Sequence, residues 1–247
     1  MKRSVLRCSA FAACILAAAI AAQAKEATFT APSGLTATVT NRDVELHWKN
    51  NATAPGGNWI EFTTPGDDYT KLDAAWTDVT GYLHPDVAPE SKFIYHIKPF
   101  FGQPSAEVEI ITGKAATNAP QLEEEGPLPD NVTETNTDQK SIHAVATFAA
   151  AAPDGLTAKL ASPTSVELRW KDHASDEDGY LVELAAAGDK EFKLAALLPP
   201  NSTSFKKTQL PSELKCRFRV RAFFYGEPSN VASVNTPPLK SISKPAP

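Results

Sequence analysis

The sequence predicts an all-β chain built as two β-sandwich units in tandem, and three observations carry that expectation. Apolar residues recur with a period of two: Val44, Leu46 and Trp48 alternate with Asp43, Glu45 and His47, and Phe93, Tyr95 and Ile97 repeat the pattern further on. That is the signature of a strand buried on one face, not of a helix. Breakers such as Pro55-Gly56-Gly57, Pro65-Gly66-Asp67-Asp68 and Ala187-Gly188-Asp189 separate these runs at short, regular spacing, which favours a sandwich over alternating strands and helices. The whole pattern then occurs twice along the chain. The 20 Pro among 247 residues agree, being about 8% against a usual 5% or so.

Residues 1–24 read as a secretory signal peptide. Lys2, Arg3 and Arg7 precede an apolar run from Cys8 to Ala22, and Ala22-Gln23-Ala24 offers a small-x-small cleavage pattern. The run is shorter than the roughly 20 apolar residues a spanning helix needs, and no later segment is apolar enough to anchor the chain. A lipid-modified Cys14 is the alternative, although Phe11 stands where an aliphatic residue is wanted. Cleavage after Ala24 lowers Lys+Arg from 24 to 21 against 29 Asp+Glu, so the net charge goes from −5 to −8. An acidic chain of this kind excludes bulk nucleic-acid binding. Only Cys216 would remain, so no internal disulfide forms and each unit must live on its apolar core. Within a strand-like run that thiol reads as a small buried hydrophobe.

The first unit spans 27–112 and the second 146–236. Pro32-Ser33-Gly34-Leu35-Thr36-Ala37 recurs as Pro153-Asp154-Gly155-Leu156-Thr157-Ala158, and Val44-Glu45-Leu46-His47-Trp48-Lys49 as Val166-Glu167-Leu168-Arg169-Trp170-Lys171. Glu61 answers Glu183, and Phe93-Ile94-Tyr95-His96-Ile97 answers Cys216-Arg217-Phe218-Arg219-Val220. Phe100-Phe101-Gly102-Gln103-Pro104-Ser105 matches the segment from Phe223 to Ser229. Between the units, residues 113–145 carry Glu123-Glu124-Glu125-Gly126-Pro127 and a Thr-, Asn- and Asp-rich stretch. This acidic linker is too poor in apolar residues to offset its ordering entropy, so disorder is expected. Residues 237–247 read as a disordered tail.

Both units resemble fibronectin type III domains, which implies immunoglobulin-like sandwiches. Pro32/Leu35 and Pro153/Leu156 fit the Pro-x-x-Leu of the first strand, and Trp48 and Trp170 fit the core tryptophan of Val-x-Leu-x-Trp on the second. The run from Trp170 to Glu183 is similar to bacterial secreted versions. Two departures stand out. Phe93 and Cys216 occupy the place where the family often has a corner tyrosine. Pro99 stands where the second unit has Ala222, which suggests that the first unit's sixth strand ends or bends early.

Six residues are candidate ligand contacts. Asp172, Asp176, Glu177 and Asp178 crowd one loop, and such oxygens can collect calcium; the spacing is not that of an EF-hand, and a solvated capping loop is the plainer reading. Trp59 and Trp76 lie outside the repeated core positions and could form a flat platform for a sugar or a protein, or else pack inside. If binding occurs at sandwich tips, the segments Asn50 to Asn58 with Phe101 to Pro104, and Asp172 to Gly179 with Phe224 to Pro228, share one end of each unit.

No catalytic motif is present: no HExxH, Gly-x-Ser-x-Gly, phosphate-cradling loop or Cys-x-x-Cys. The expectation is a non-enzymatic, cofactor-free exported protein, secreted, periplasmic or surface-attached, acting as a monomeric binding or spacer module for an extracellular or envelope protein. A carbohydrate-binding accessory role in polysaccharide degradation, with a glycan as partner, is the alternative.

Overall fold

The computed structural model describes residues 28–54, 56–114 and 150–238, and their regular structure is β-strand. The first unit contributes β1 (Ser33–Thr40), β2 (Asp43–Lys49), β3 (Gly56–Thr63), β4 (Thr70–Trp76), β5 (Gly81–His84), β6 (Lys92–Phe101) and β7 (Val108–Ile111). The second contributes β8 (Asp154–Ser162), β9 (Ser165–Lys171), β10 (Gly179–Ala186), β11 (Lys193–Leu198), β12 (Ser204–Lys207), β13 (Lys215–Tyr225) and β14 (Ala232–Asn235). The linker and tail expected to be disordered, and the leader, lie almost wholly outside the described residues. Among the described residues no helix is long and apolar enough to cross a membrane.

Each sandwich has a three-stranded sheet facing a four-stranded one. β1-β2-β5 and β8-β9-β12 are the smaller sheets, with β2 and β9 in the middle. Alternation in β2 turns Val44, Leu46 and Trp48 inward, and in β9 it does the same for Val166, Leu168 and Trp170, all 6% exposed or less. Opposite them lie Ile60, Phe93, Tyr95 and Ile97 in one core, and Tyr180, Val182, Cys216, Phe218 and Val220 in the other. Cys216 is fully buried, and burial raises its thiol pKa, as for a small apolar side chain rather than a nucleophile.

The larger sheets depart from the sequence expectation. β7 does not return to β6; it pairs with β13 of the second unit, with Val108 opposite Phe218 and Ile110 opposite Cys216. Reciprocally, β14 pairs with β6 of the first unit, with Ala232 opposite Tyr95 and Val234 opposite Phe93. Val108 and Ile110 therefore pack in the second core, and Ala232 and Val234 in the first. The sandwiches do not coincide with the contiguous segments 27–112 and 146–236, because the units exchange their last strands. Where the strands cross, β6 and β13 pair directly, Phe101 with Phe224 and Phe100 with Tyr225. One sheet then runs β11-β10-β13-β6-β3-β4 through both units.

Glycine makes the crossing possible. A Cβ on Gly102 would sit 2.0 Å from the Ala222 carbonyl oxygen, so a side chain there would push the two chains apart. Pro99 does not shorten β6, contrary to expectation: it pairs with Asn58 inside the strand. Its carbonyl accepts a bond from the Gly226 N–H at 2.9 Å. In an antiparallel strand the missing donor lies on that same side, where a crossover rather than a regular ladder passes, so no ladder bond is lost.

Candidate functional site

The sequence-predicted site residues fall into two groups, and the crossing of the units positions both. Trp59 on β3 is fully buried. With Phe100, Leu181 and Phe223 it forms an apolar cluster between the units, and Trp76, Leu194, Leu197 and Tyr225 pack around it. The Trp59 and Phe100 rings lie 5.3 Å apart, and Lys71 Nζ sits 5.7 Å from the Trp59 ring centre. Trp76 on β4 is half-buried; its indole N–H donates to the Phe192 carbonyl of the second unit at 2.8 Å, and the Arg221 guanidinium lies 5.7 Å from its ring. Trp59 thus packs inside the junction and presents no face to a ligand, whereas Trp76 keeps part of its surface at the junction's edge.

The acidic loop after β9 turns its carboxylates onto its own surroundings. Asp172 accepts from the Ala174 N–H at 2.8 Å and, through a short bond, from the Tyr180 hydroxyl. Burial first, and then Asp172, holds the Tyr180 hydroxyl far above the ordinary tyrosine range. Glu177, 6% exposed, accepts from the Asn201 N–H at 2.6 Å. Asp178 accepts from the Tyr225 N–H at 2.6 Å, pinning the end of β13. Asp176 is exposed. The Asp172 bond to Ala174 caps its own turn, whereas Glu177 and Asp178 fasten the loop to the distant segments at Asn201 and Tyr225. Among the described residues no group of three or more His, Cys, Asp or Glu is placed to hold a metal.

The sandwich ends anticipated as free tips are the junction itself. Ala54, Phe101, Ala151 and Phe224 form a small buried cluster there, with Phe29, Ala52 and Ala174 against it. The Phe29 and Phe101 rings pack edge to face, with centroids 5.1 Å apart.

Two ionic clusters, which the sequence reading did not single out as sites, lie on the large sheet on either side of the crossing. Glu183 of β10 has no exposed surface; it accepts from Arg219 Nε at 2.5 Å and Arg221 Nε at 2.8 Å. Arg221 is 4% exposed and also donates, through a short bond, to the carbonyl of Gly102 in the first unit's crossover. One guanidinium thus ties the second unit's buried carboxylate to the first unit's chain. In the first unit Glu61 takes the corresponding place, with His96 at 2.5 Å and Lys71 at 3.5 Å, and the Tyr69 ring stacks on His96 at 3.8 Å. Burial raises the Glu61 pKa, but the His96 hydrogen bond and the charges of Lys71, His96 and Lys98 outweigh it and hold the carboxyl below its ordinary value. The equivalence of Glu61 with Glu183 and of His96 with Arg219 was visible in the repeat. A cross-strand charge ladder between Glu183 and the arginines of β13 was also to be expected; the burial of Glu183 and Arg221 and the bond to Gly102 were not, because those groups converge only once the strands of both units pair.

No protein-family model matches the chain, and no curated protein does. Among solved structures, the chicken CNTN1 FN1–FN3 domains are 17% identical with a TM-score of 0.28, covering 84% of this chain and 66% of that one. A segment of two fibronectin type III domains from chicken tenascin is 12% identical with a TM-score of 0.27, covering 83% of this chain and 99% of that one. A redesigned β-sandwich protein matches 31% of this chain with 16% identity and a TM-score of 0.28. The chain thus spans slightly under two thirds of the CNTN1 fragment. The strand order carries the fold: three strands against four, twice over, make this a tandem of fibronectin type III-like β-sandwiches that exchange their last strands.

Proposed function

We propose that the protein is an exported, non-catalytic rigid spacer and binding module that holds partner proteins at a set separation outside the cytoplasm. The fold is one commonly used for binding or spacing, and fold by itself leaves the partner open. The observation that supports rigidity is the exchange of β7 and β14 across a shared sheet. Units joined only by a linker move independently. Here each core is completed by the other unit's strand, so bending at the junction would break core packing. Polar groups at the junction support the same rigidity: Arg221 and the Trp76 indole are spent on contacts between the units. The leader at 1–24 supports export.

Photo-crosslinking in intact cells tests this. A crosslinking residue replaces Leu83, 54% exposed, or Val231, 58% exposed, and captured proteins are identified by mass spectrometry. Envelope or extracellular proteins are the expected partners. Retention of the chain in the cytoplasm with residues 1–24 intact, or turnover of a polymer substrate by the purified protein, would overturn the reading.

A further inference from the structure

β7 and β14 occupy equivalent places on two equivalent edges, and their ends are fastened alike. The Ser105 N–H donates to the Val220 carbonyl at 2.7 Å, and the Ser229 N–H to the Ile97 carbonyl at 2.9 Å. At the far ends the Leu214 N–H donates to Thr112 Oγ1 at 2.7 Å, and the Ser91 N–H to Thr236 Oγ1 at 2.9 Å. These fasteners would serve either strand on either edge. The residues between them would not.

On β13 the inward positions are Cys216 and Phe218, and they receive the larger pair Ile110 and Val108. On β6 the inward positions are Phe93 and Tyr95, and they receive the smaller pair Val234 and Ala232. Large meets small in both cores. Returned to its own edge, β7 would bring Ile110 against Phe93 and overfill the first core, while β14 would leave Val234 against Cys216 and underfill the second. Dense cores tolerate neither change. Charge acts in the same sense. Glu107 lies 2.9 Å from Arg217, and Glu109 lies 2.9 Å from Lys215. The first unit has Ile94 where the second has Arg217, so on β6 Glu107 would lose its cation.

We propose that β7 and β14 are address strands: their side-chain sizes and charges make each unit recognise the complementary unit of this chain and reject another copy of itself. The surface recognised is the open edge of β6 or β13, and its partner is the strand that ends the opposite unit. The linker between Lys114 and Ala150 sets which molecule supplies that strand. A covalent tether of this length holds the two units at about millimolar effective concentration, so exchange stays within one chain at micromolar protein. A second copy supplies the strand only when protein concentration approaches that value or the tether is shortened.

The test uses the full chain lacking residues 1–24, with a protease site in the linker, folded first and cut afterwards. The cut protein is unfolded in denaturant, refolded and weighed intact by native mass spectrometry. The expected result is a one-to-one pair of unlike halves, at least tenfold over either pair of like halves. A statistical mixture of like and unlike pairs, a predominance of like pairs, or two separate halves would overturn the proposal. The same measurement is made on a chain carrying Val108→Ala, Ile110→Val, Ala232→Val and Val234→Ile, in which the sizes are interchanged. The preference for unlike halves should fall at least tenfold; an unchanged preference would show that side-chain size carries no address.

Discussion

Glu183 is a carboxylate without exposed surface, held by two guanidiniums of which Arg221 is itself buried. A buried pair is weak support for stability as a whole, but removing one member strands the other charge, at about 3–5 kcal/mol. Glu183→Gln should therefore lower stability by that order in denaturant titration, whereas Glu167→Gln on the exposed Arg169 pair should change it by no more than about 1 kcal/mol. Trp59→Ala should cost about 3–5 kcal/mol through the cavity left, and the loss should appear in both units because the ring packs on residues of both. His84 gives the pH sign. Burial lowers its pKa below 6.5, and its ring bonds the Tyr95 hydroxyl at 3.0 Å. Below 6.5 the unfolded chain takes up the proton that the folded chain refuses, so this site's contribution is full above 6.5 and declines on acidification toward the folded pKa. Melting temperature measured between pH 7 and 5 should fall less in His84→Phe than in the unsubstituted protein. Glu61, lowered below 4.5, adds a second loss that begins only below that value, as folded-state contacts favouring the carboxylate are protonated away.

At the scale of elements, most strands were legible because one-sided burial writes a period of two into the sequence, as in β2 and β9. The stretches Gly57–Ile60 on β3 and Arg221–Phe224 on β13 are buried at consecutive positions instead, since one face meets its own core and the other meets the opposite unit. The doublets Phe100-Phe101 and Phe223-Phe224 carried that information, and consecutive apolar residues at a strand end are the signal for cover on both faces. Trp59 and Trp76 invited the platform reading for a related reason: an aromatic outside the repeated core positions looks exposed until its second neighbour is known. Of the acidic loop's bonds, that of Asp172 to Ala174 was foreseeable in kind, because Asp at a turn bonds nearby backbone donors; those of Glu177 and Asp178 reach distant segments and were not. The exchange of β7 and β14 was not legible. Both strands keep the alternation they would have at home, and only the size match and the Glu107–Arg217 pair across the edge distinguish the two pairings. If the assignment holds, Ile110→Ala should weaken the second core by about 2–5 kcal/mol. Hydrogen exchange should then quicken in β9 and β13 before β2 and β3.

For the molecule as a whole, the shared sheet and exchanged strands make the two sandwiches one cooperative body. A single unfolding transition is expected from calorimetry, with calorimetric and van't Hoff enthalpies equal; two resolved transitions would indicate independent sandwiches. The most direct measurement concerns where β7 lies. In the chain lacking residues 1–24, Cys216 is the remaining cysteine, and Ile110 is its cross-strand partner. Opposed residues on paired strands lie within disulfide reach. Under mild oxidation, Ile110→Cys should form an internal disulfide with Cys216, seen by mass spectrometry as one crosslinked pair of peptides in monomeric protein. The companion variant places cysteines at Phe93 and Ile110 with Cys216→Ala, and it should stay reduced. Disulfide formation in the companion and none in the first variant would return β7 to β6 and contradict the exchange.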